Sequence, residues 1–174
     1  MSCQINNTPL TNTPRGRGFT LLEVVIATLV MGLMLVAAMN TLGSAIRGQR
    51  LTGQQSHAAL LANDLLAEIL AHPYADPEGG TGLGTDAGEG SSTRVDFDDV
   101  DDFDGWSGSP PEDVGGTALA SGFGLTRNVS VDYVNKNNFT QVIGADQGVK
   151  RIEVSVVAGG NVLAKITTVV TDDS

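Results

Sequence analysis

Four groups of residues in this chain have types that could do chemistry. Glu23 is the single charge in an otherwise apolar run, Phe19 to Met39. Arg15, Gly16, Arg17 and Gly18 come immediately before that run. Six aspartates occupy nine positions in Asp96-Phe97-Asp98-Asp99-Val100-Asp101-Asp102-Phe103-Asp104. His57 and His72, the two histidines, stand fifteen residues apart. A carboxylate deep in an apolar run costs about 2–3 kcal/mol on membrane-insertion scales, so Glu23 asks for a partner or a function. Clustered aspartates offer hard oxygen donors to a cation such as calcium. The histidines fall on or at the end of the helix expected below and read as exposed helix residues rather than ligands. There is no Gly-x-Ser-x-Gly, phosphate loop or zinc spacing either, so no enzyme is expected.

The aspartates allow three readings. The first is a calcium site built from Asp98, Asp99, Asp101, Asp102 and Asp104. Its spacing departs from the EF-hand. Setting Asp102, Asp104 and Gly105 on the D-x-D-G part puts Val100 at the first ligand and Pro111 at the twelfth. The second is an exposed, solvated loop pinned by Phe97, Phe103 and Trp106. The third is a patch that docks a basic partner. No other cofactor is expected.

The elements that must carry these residues begin with the apolar run. As a helix its twenty-one residues span about 32 Å, against roughly 30 Å for a bilayer core. Arg15 and Arg17 flank it, so the N-terminus should stay cytoplasmic and the rest should be exported. A secretory signal would have a shorter apolar run and a small-x-small cleavage site after it. A plain signal anchor accounts for the length and leaves Glu23 unexplained.

Beyond Asn40 the chain turns polar, with Gly43, Gly48 and Gly53. Then Ala58, Leu61, Ala62, Leu65, Leu66, Ile69 and Leu70 recur at spacings of three and four, one apolar stripe on a helix. Pro73 ends that pattern. One helix is therefore expected from about Phe19 to Ala71, with a membrane-spanning first half and an amphipathic second half over residues 40–72. Residues 75–124 read as loop, with twelve glycines between Gly79 and Gly124. Val129, Val131 and Tyr133 alternate with polar neighbours, as do Ile152, Val154 and Val156. Together with Val162 to Thr171 they predict strands, and Gly159-Gly160-Asn161 predicts the turn of a hairpin. A turn is also expected around Asn137-Asn138 and from Gly144 to Gly148.

The charge is −10, and twelve of the twenty acids lie between Asp76 and Asp113. Loss of residues 1–18 would remove Arg15 and Arg17, leaving eight basic and twenty acidic groups, a net −12. Such a surface repels phosphate backbones, so nucleic acid is not an expected partner. The one cysteine, Cys3, lies in that leading segment and cannot form an internal disulfide.

The stretch Arg15-Gly16-Arg17-Gly18-Phe19-Thr20-Leu21-Leu22-Glu23 resembles the class III signal of type IV pilins and type II secretion pseudopilins. The resemblance implies a peptidase cut between Gly18 and Phe19, methylation of the new Phe19 amine, and an assembly role for Glu23 as fifth mature residue. The segments LLANDLLAEILAHPYADP and DDVDDFDGW are similar to minor pilins of the modification and mannose-sensitive-haemagglutinin type, the former also to minor pseudopilin I. The implied fold is α+β and pilin-like, a long helix on an antiparallel sheet of three or four strands with a Gly/Asp-rich loop region. Residues 1–18 would be a cleaved leader, 19–39 the membrane segment, and 73–174 an exported head with strands at about 125–172. The implied partners are other pilins or pseudopilins, prepilin peptidase, an inner-membrane platform protein and an assembly ATPase. The implied location is the inner membrane, then a filament in the periplasm or at the cell surface. A membrane-anchored module that recruits a ligand through its acidic loop is the alternative function.

Overall fold

A computed structural model describes residues 18–77, 79–80, 82–86 and 93–172. The expected leader, apart from Gly18, lies outside the described residues, and so do Cys3, Arg15 and Arg17. The architecture is α+β and pilin-like: one long helix and a five-stranded antiparallel sheet.

Helix α1 runs Leu21–Ile69. The chain divides into two compact units, one up to Arg47 and one from Gly48 onward. In the first unit the helix carries its apolar run with no side chain buried, at a mean hydropathy of 2.5. It is long and apolar enough to cross a membrane. In the second unit Ala58, Leu61, Ala62, Leu65, Leu66 and Ile69 are buried, which is the expected stripe. Leu70 remains exposed, because the helix has already tightened. Ala71 N–H donates to the Glu68 carbonyl and His72 N–H to that of Ile69. These three-residue closures satisfy end carbonyls just before Pro73.

Strands β1 (Ser107–Gly108), β2 (Thr126–Asn135), β3 (Asn138–Val142), β4 (Val149–Ala158) and β5 (Asn161–Thr171) form the sheet. The order is β1-β2-β4-β5, with β3 paired to the end of β2 near Val134 and Asn135. Strands β2 and β4 pair from Thr126 opposite Val157 to Tyr133 opposite Lys150. The β4–β5 hairpin turns at Gly159 and Gly160, with φ of 55° and 82°. Both angles lie in the left-handed region that suits glycine, and a two-residue turn of this kind matches strand twist. Val129, Val131, Ile152, Val154 and Val156 cover the helical stripe.

Two expectations change here. Residues 94–108 are a built part of the core. Short 3₁₀ turns at Arg94–Asp96 and Asp101–Phe103 place Phe97, Val100, Phe103 and Trp106 inside it. Phe103 lies within the second turn, and the extended residues Phe97 and Asp104 that end the two turns redirect the chain after each of them. The expected turn near Asn138 is also displaced. Asn138 begins β3, a strand whose five residues are all exposed and whose pairing with β2 supplies its order.

Candidate functional site

Gly18, Phe19 and Thr20 precede the helix in non-helical, exposed chain. Phe19 is 81% exposed, and a Cβ added at Gly18 would meet nothing within 4 Å. The fold itself therefore does not require a glycine there. Thr20 caps the helix: its Oγ1 accepts from the Glu23 N–H at 3.3 Å, and its carbonyl accepts from the Val24 N–H. Glu23 stands in the first turn, where unpaired backbone N–H groups favour negative charge. The Thr20-x-x-Glu23 spacing is the sequence signature of a capping box, a signal that the reading of Glu23 as a lone charge passes over. Cap and acid sit at the start of a helix with no buried side chain in its apolar half.

The profile of the prokaryotic N-terminal methylation motif matches residues 14–39. The chain carries a prepilin signal. Such a signal belongs to type IV pilin-like precursors, and here its apolar part is the exposed first half of α1. Glu23, in the first turn of that helix, and both flanks of the Gly18–Phe19 bond fall inside the matched span. No curated protein and no solved structure matches the chain.

The aspartate cluster has a different character from the solvated loop expected of it. Asp99, Asp101 and Asp102 are buried. Asp99 Oδ1 accepts from the N–H groups of Asp101 at 2.6 Å and Asp102 at 3.1 Å. Asp102 Oδ2 accepts in return from Asp98 N–H at 2.9 Å and Asp99 N–H at 3.3 Å. Asp104 Oδ1 accepts from Val131 N–H at 2.8 Å, which ties the turn to β2. Asp101 Oδ2 pairs with Lys150 Nζ of β4. The carboxylates thus replace the backbone partners that a tight, buried turn lacks.

Burial pushes the Asp99 carboxyl up to about 6, against the backbone hydrogen bonds that favour its charge. Burial also raises Asp101, and Lys150 opposes that shift. Asp98, Asp99, Asp101, Asp102 and Asp104 do not converge on one point. Among the described residues no three His, Cys, Asp or Glu side chains form a metal-holding group. The histidines are half-buried, and His72 packs its ring 5.4 Å from that of Phe103.

A second charged constellation was not anticipated. Arg94, 2% exposed, lies 4.3 Å from the centroid of the Trp106 ring and donates from Nε and Nη2 to Glu68. Arg127, 1% exposed, stands 5.7 Å from the same centroid and donates to the Glu112 carbonyl. Burial, then the nearby Arg94 charge, lowers the Arg127 pKa. Gly108 leaves room for Trp106: a Cβ there would come within 2.6 Å of the indole. The only sequence hint is an arginine at an inward position of the β2 alternation.

Proposed function

We propose that this chain is a minor pilin or pseudopilin subunit. Prepilin peptidase would cut it between Gly18 and Phe19 and methylate the new amine. The product would assemble with other pilins or pseudopilins into a type IV pilus or a type II secretion pseudopilus. The observation that carries the reading is Glu23, in register five residues after Gly18, within the matched motif and on an apolar stretch of helix whose described side chains are all exposed. An accessible, non-helical Gly18–Phe19 bond supports cleavage at that point, and glycine offers a peptidase no side chain to clear.

Cleavage would create an α-amino cation four residues from Glu23. In an apolar helix bundle an unpaired carboxylate is costly and a paired one is not, so the amine and Glu23 of adjacent subunits set the docking register. The work of the subunit is mechanical: apolar helices bundle and exported heads face outward. An inner-membrane platform protein and an assembly ATPase would drive it. The ligand-recruiting module gains little support, since the aspartates it would use turn inward onto the backbone.

The test is the mass of the mature protein together with a Glu23→Ala variant. The mass should correspond to a chain starting at Phe19 with one added methyl group. The variant should enter the membrane and fail to enter filaments. A mature chain that retains residues 1–18, or normal filament entry by Glu23→Ala, overturns the proposal.

A further inference from the structure

The uncharged stretch of α1 extends past the apolar run. Between Glu23 and Arg47 no residue carries a charge, so residues 24–46 form a neutral stretch of twenty-three. Its polar side chains are Thr28, Asn40, Thr41 and Ser44. The Thr28 hydroxyl donates to the Val25 carbonyl at 2.9 Å, that of Thr41 to Ala37 at 2.9 Å and that of Ser44 to Thr41 at 2.8 Å. Each hydroxyl proton is therefore used by the helix's own backbone, which makes these residues tolerable in hydrocarbon. The Asn40 amide is left as the one strongly polar group of the stretch. Beyond Met39, Leu42 and Ile46 are still exposed apolar side chains.

We propose that residues 24–46, rather than 19–39, cross the hydrocarbon, and that Arg47 closes the span by binding a lipid phosphodiester in the leaflet on the exported side. At 1.5 Å per residue the stretch is about 34 Å long, and a tilt of about 20° brings its height to about 32 Å. The hydrocarbon core is roughly 30 Å thick. Glu23 and Arg47 bound the stretch, twenty-four residues or about 36 Å apart, so the two charges reach the two headgroup layers. A span of 19–39 instead draws Glu23 into hydrocarbon and leaves Leu42 and Ile46 in water. Arg47 is exposed, and no aspartate or glutamate occurs between Glu23 and Asp64, so the helix offers its guanidinium no acid three or four residues away. None of the ion pairs among the described residues includes it. A guanidinium's planar fork matches two phosphate oxygens, and its methylene stem can lie along the apolar helix while the head reaches outward.

The same depth serves the other end of the span. With Glu23 at the cytoplasmic headgroups, the Gly18–Phe19 bond lies four residues further out, in exposed, non-helical chain where a peptidase can reach it. Glu23 stays hydrated until the helix enters a filament, and only there does it require the amine as partner. Arg47 holds the subunit at that depth beforehand. A shift in one direction pulls its guanidinium off the phosphate, and a shift in the other pushes it into hydrocarbon. The inference rests on the membrane-anchored subunit proposed above.

Two measurements test it, both on the full chain in vesicles of phosphatidylethanolamine and phosphatidylglycerol. The first uses Cys3→Ser to remove the native thiol, single new cysteines and a membrane-impermeant maleimide. Gln49→Cys should label, and Leu42→Cys and Leu33→Cys should label several-fold less. Leu42→Cys labelled as fully as Gln49→Cys, with Leu33→Cys protected, overturns the shifted span and leaves the membrane anchor standing. Full labelling of Leu33→Cys overturns both. Protection of Gln49→Cys overturns Arg47 as the boundary. The second measures the distance from guanidinium carbon to phosphorus by solid-state NMR in phosphate-free buffer. Arg15→Lys, Arg17→Lys and Arg50→Lys leave Arg47 as the one exposed guanidinium among the described residues, since Arg94 and Arg127 are buried and Arg151 pairs with Asp132. Its carbon signal should be dephased by lipid phosphorus, and Arg47→Gln should remove that effect. No dephasing, as when a carboxylate of another chain holds the group, overturns the phosphate contact. Dephasing that survives Arg47→Gln overturns it as well.

Discussion

Lys150 Nζ lies 2.8 Å from Asp101 Oδ2, and both side chains are almost wholly out of water. The ammonium also donates to the Tyr74 carbonyl and stands 4.0 Å from the centroid of the Tyr74 ring. Tyr74 is in turn held by Asp146, whose Oδ1 accepts from its hydroxyl at 2.6 Å. One lysine on β4 therefore joins the aspartate turn, the chain after α1 and the 144–148 turn. A buried charge needs this many partners to offset its desolvation.

Lys150→Met should consequently be costly, because it leaves Asp101 buried and uncompensated. We expect a loss of about 3–5 kcal/mol, the range for breaking one side of a buried pair. The single tryptophan, Trp106, is buried in the head and reports on urea unfolding of the purified chain in mild detergent. Adding Asp101→Asn should recover part of the loss, since it removes the stranded charge. A single variant as stable as the unchanged chain would show that the pair is not a lock.

Stability should also depend on pH through Asp99. Its carboxyl titrates near 6 when folded, against an ordinary value of 3.8. The folded chain then binds that proton more tightly than the unfolded chain. The resulting stability is fully present below the unfolded value and is lost as pH rises through about 6. Asp99→Asn keeps an acceptor oxygen and removes the titration. Its stability relative to the unchanged chain should therefore fall by roughly 1 kcal/mol between pH 7 and pH 5. Asp101 shifts in the same direction through burial, so some pH dependence of the same sign should persist in the variant. A constant difference between the two proteins across that range would remove Asp99 as its source.

Calcium should not bind the aspartate turn while it is folded this way. One oxygen each of Asp99, Asp102 and Asp104 accepts from backbone N–H groups, one of Asp101 pairs with Lys150, and the unpartnered Asp98 Oδ1 and Asp101 Oδ1 do not join a third carboxylate in a metal-holding group among the described residues. Isothermal titration of the chain with about millimolar calcium should release no saturable heat. Saturable heat that disappears in Asp102→Asn would mean that the turn opens to coordinate the ion.

The described residues of the 75–124 stretch are largely loop, as composition predicts, and the departure at 94–108 has a physical reason. Glycines and aspartates dominate residues 75–124, and composition of that kind ordinarily marks solvated loop. Phe97, Val100, Phe103 and Trp106 recur at intervals of three, a pattern too short to register beside helical or strand periods. Their aspartate neighbours are buried because backbone N–H groups and Lys150 compensate them, and those partners become near only on folding. Strand β3 shows the same limit. Its exposed residues carry no alternation of burial, and β2 alone makes it a strand.

Along the chain, sequence by itself determined what depends on local order. The prepilin signal, the acid five residues after Gly18, the stripe from Ala58 to Ile69, the strands β2, β4 and β5, and the Gly159-Gly160 hairpin are all set by neighbours in the chain. Periodicity and turn stereochemistry act over a few residues, so they can be read there. Tertiary structure alone decided which charges are paired and where. Asp101 meets Lys150 forty-nine positions away, and Arg94 meets Glu68 across twenty-six. Such pairs are selected by the burial that brings them together, because a charge removed from water is tolerated only where its partners have been carried to it.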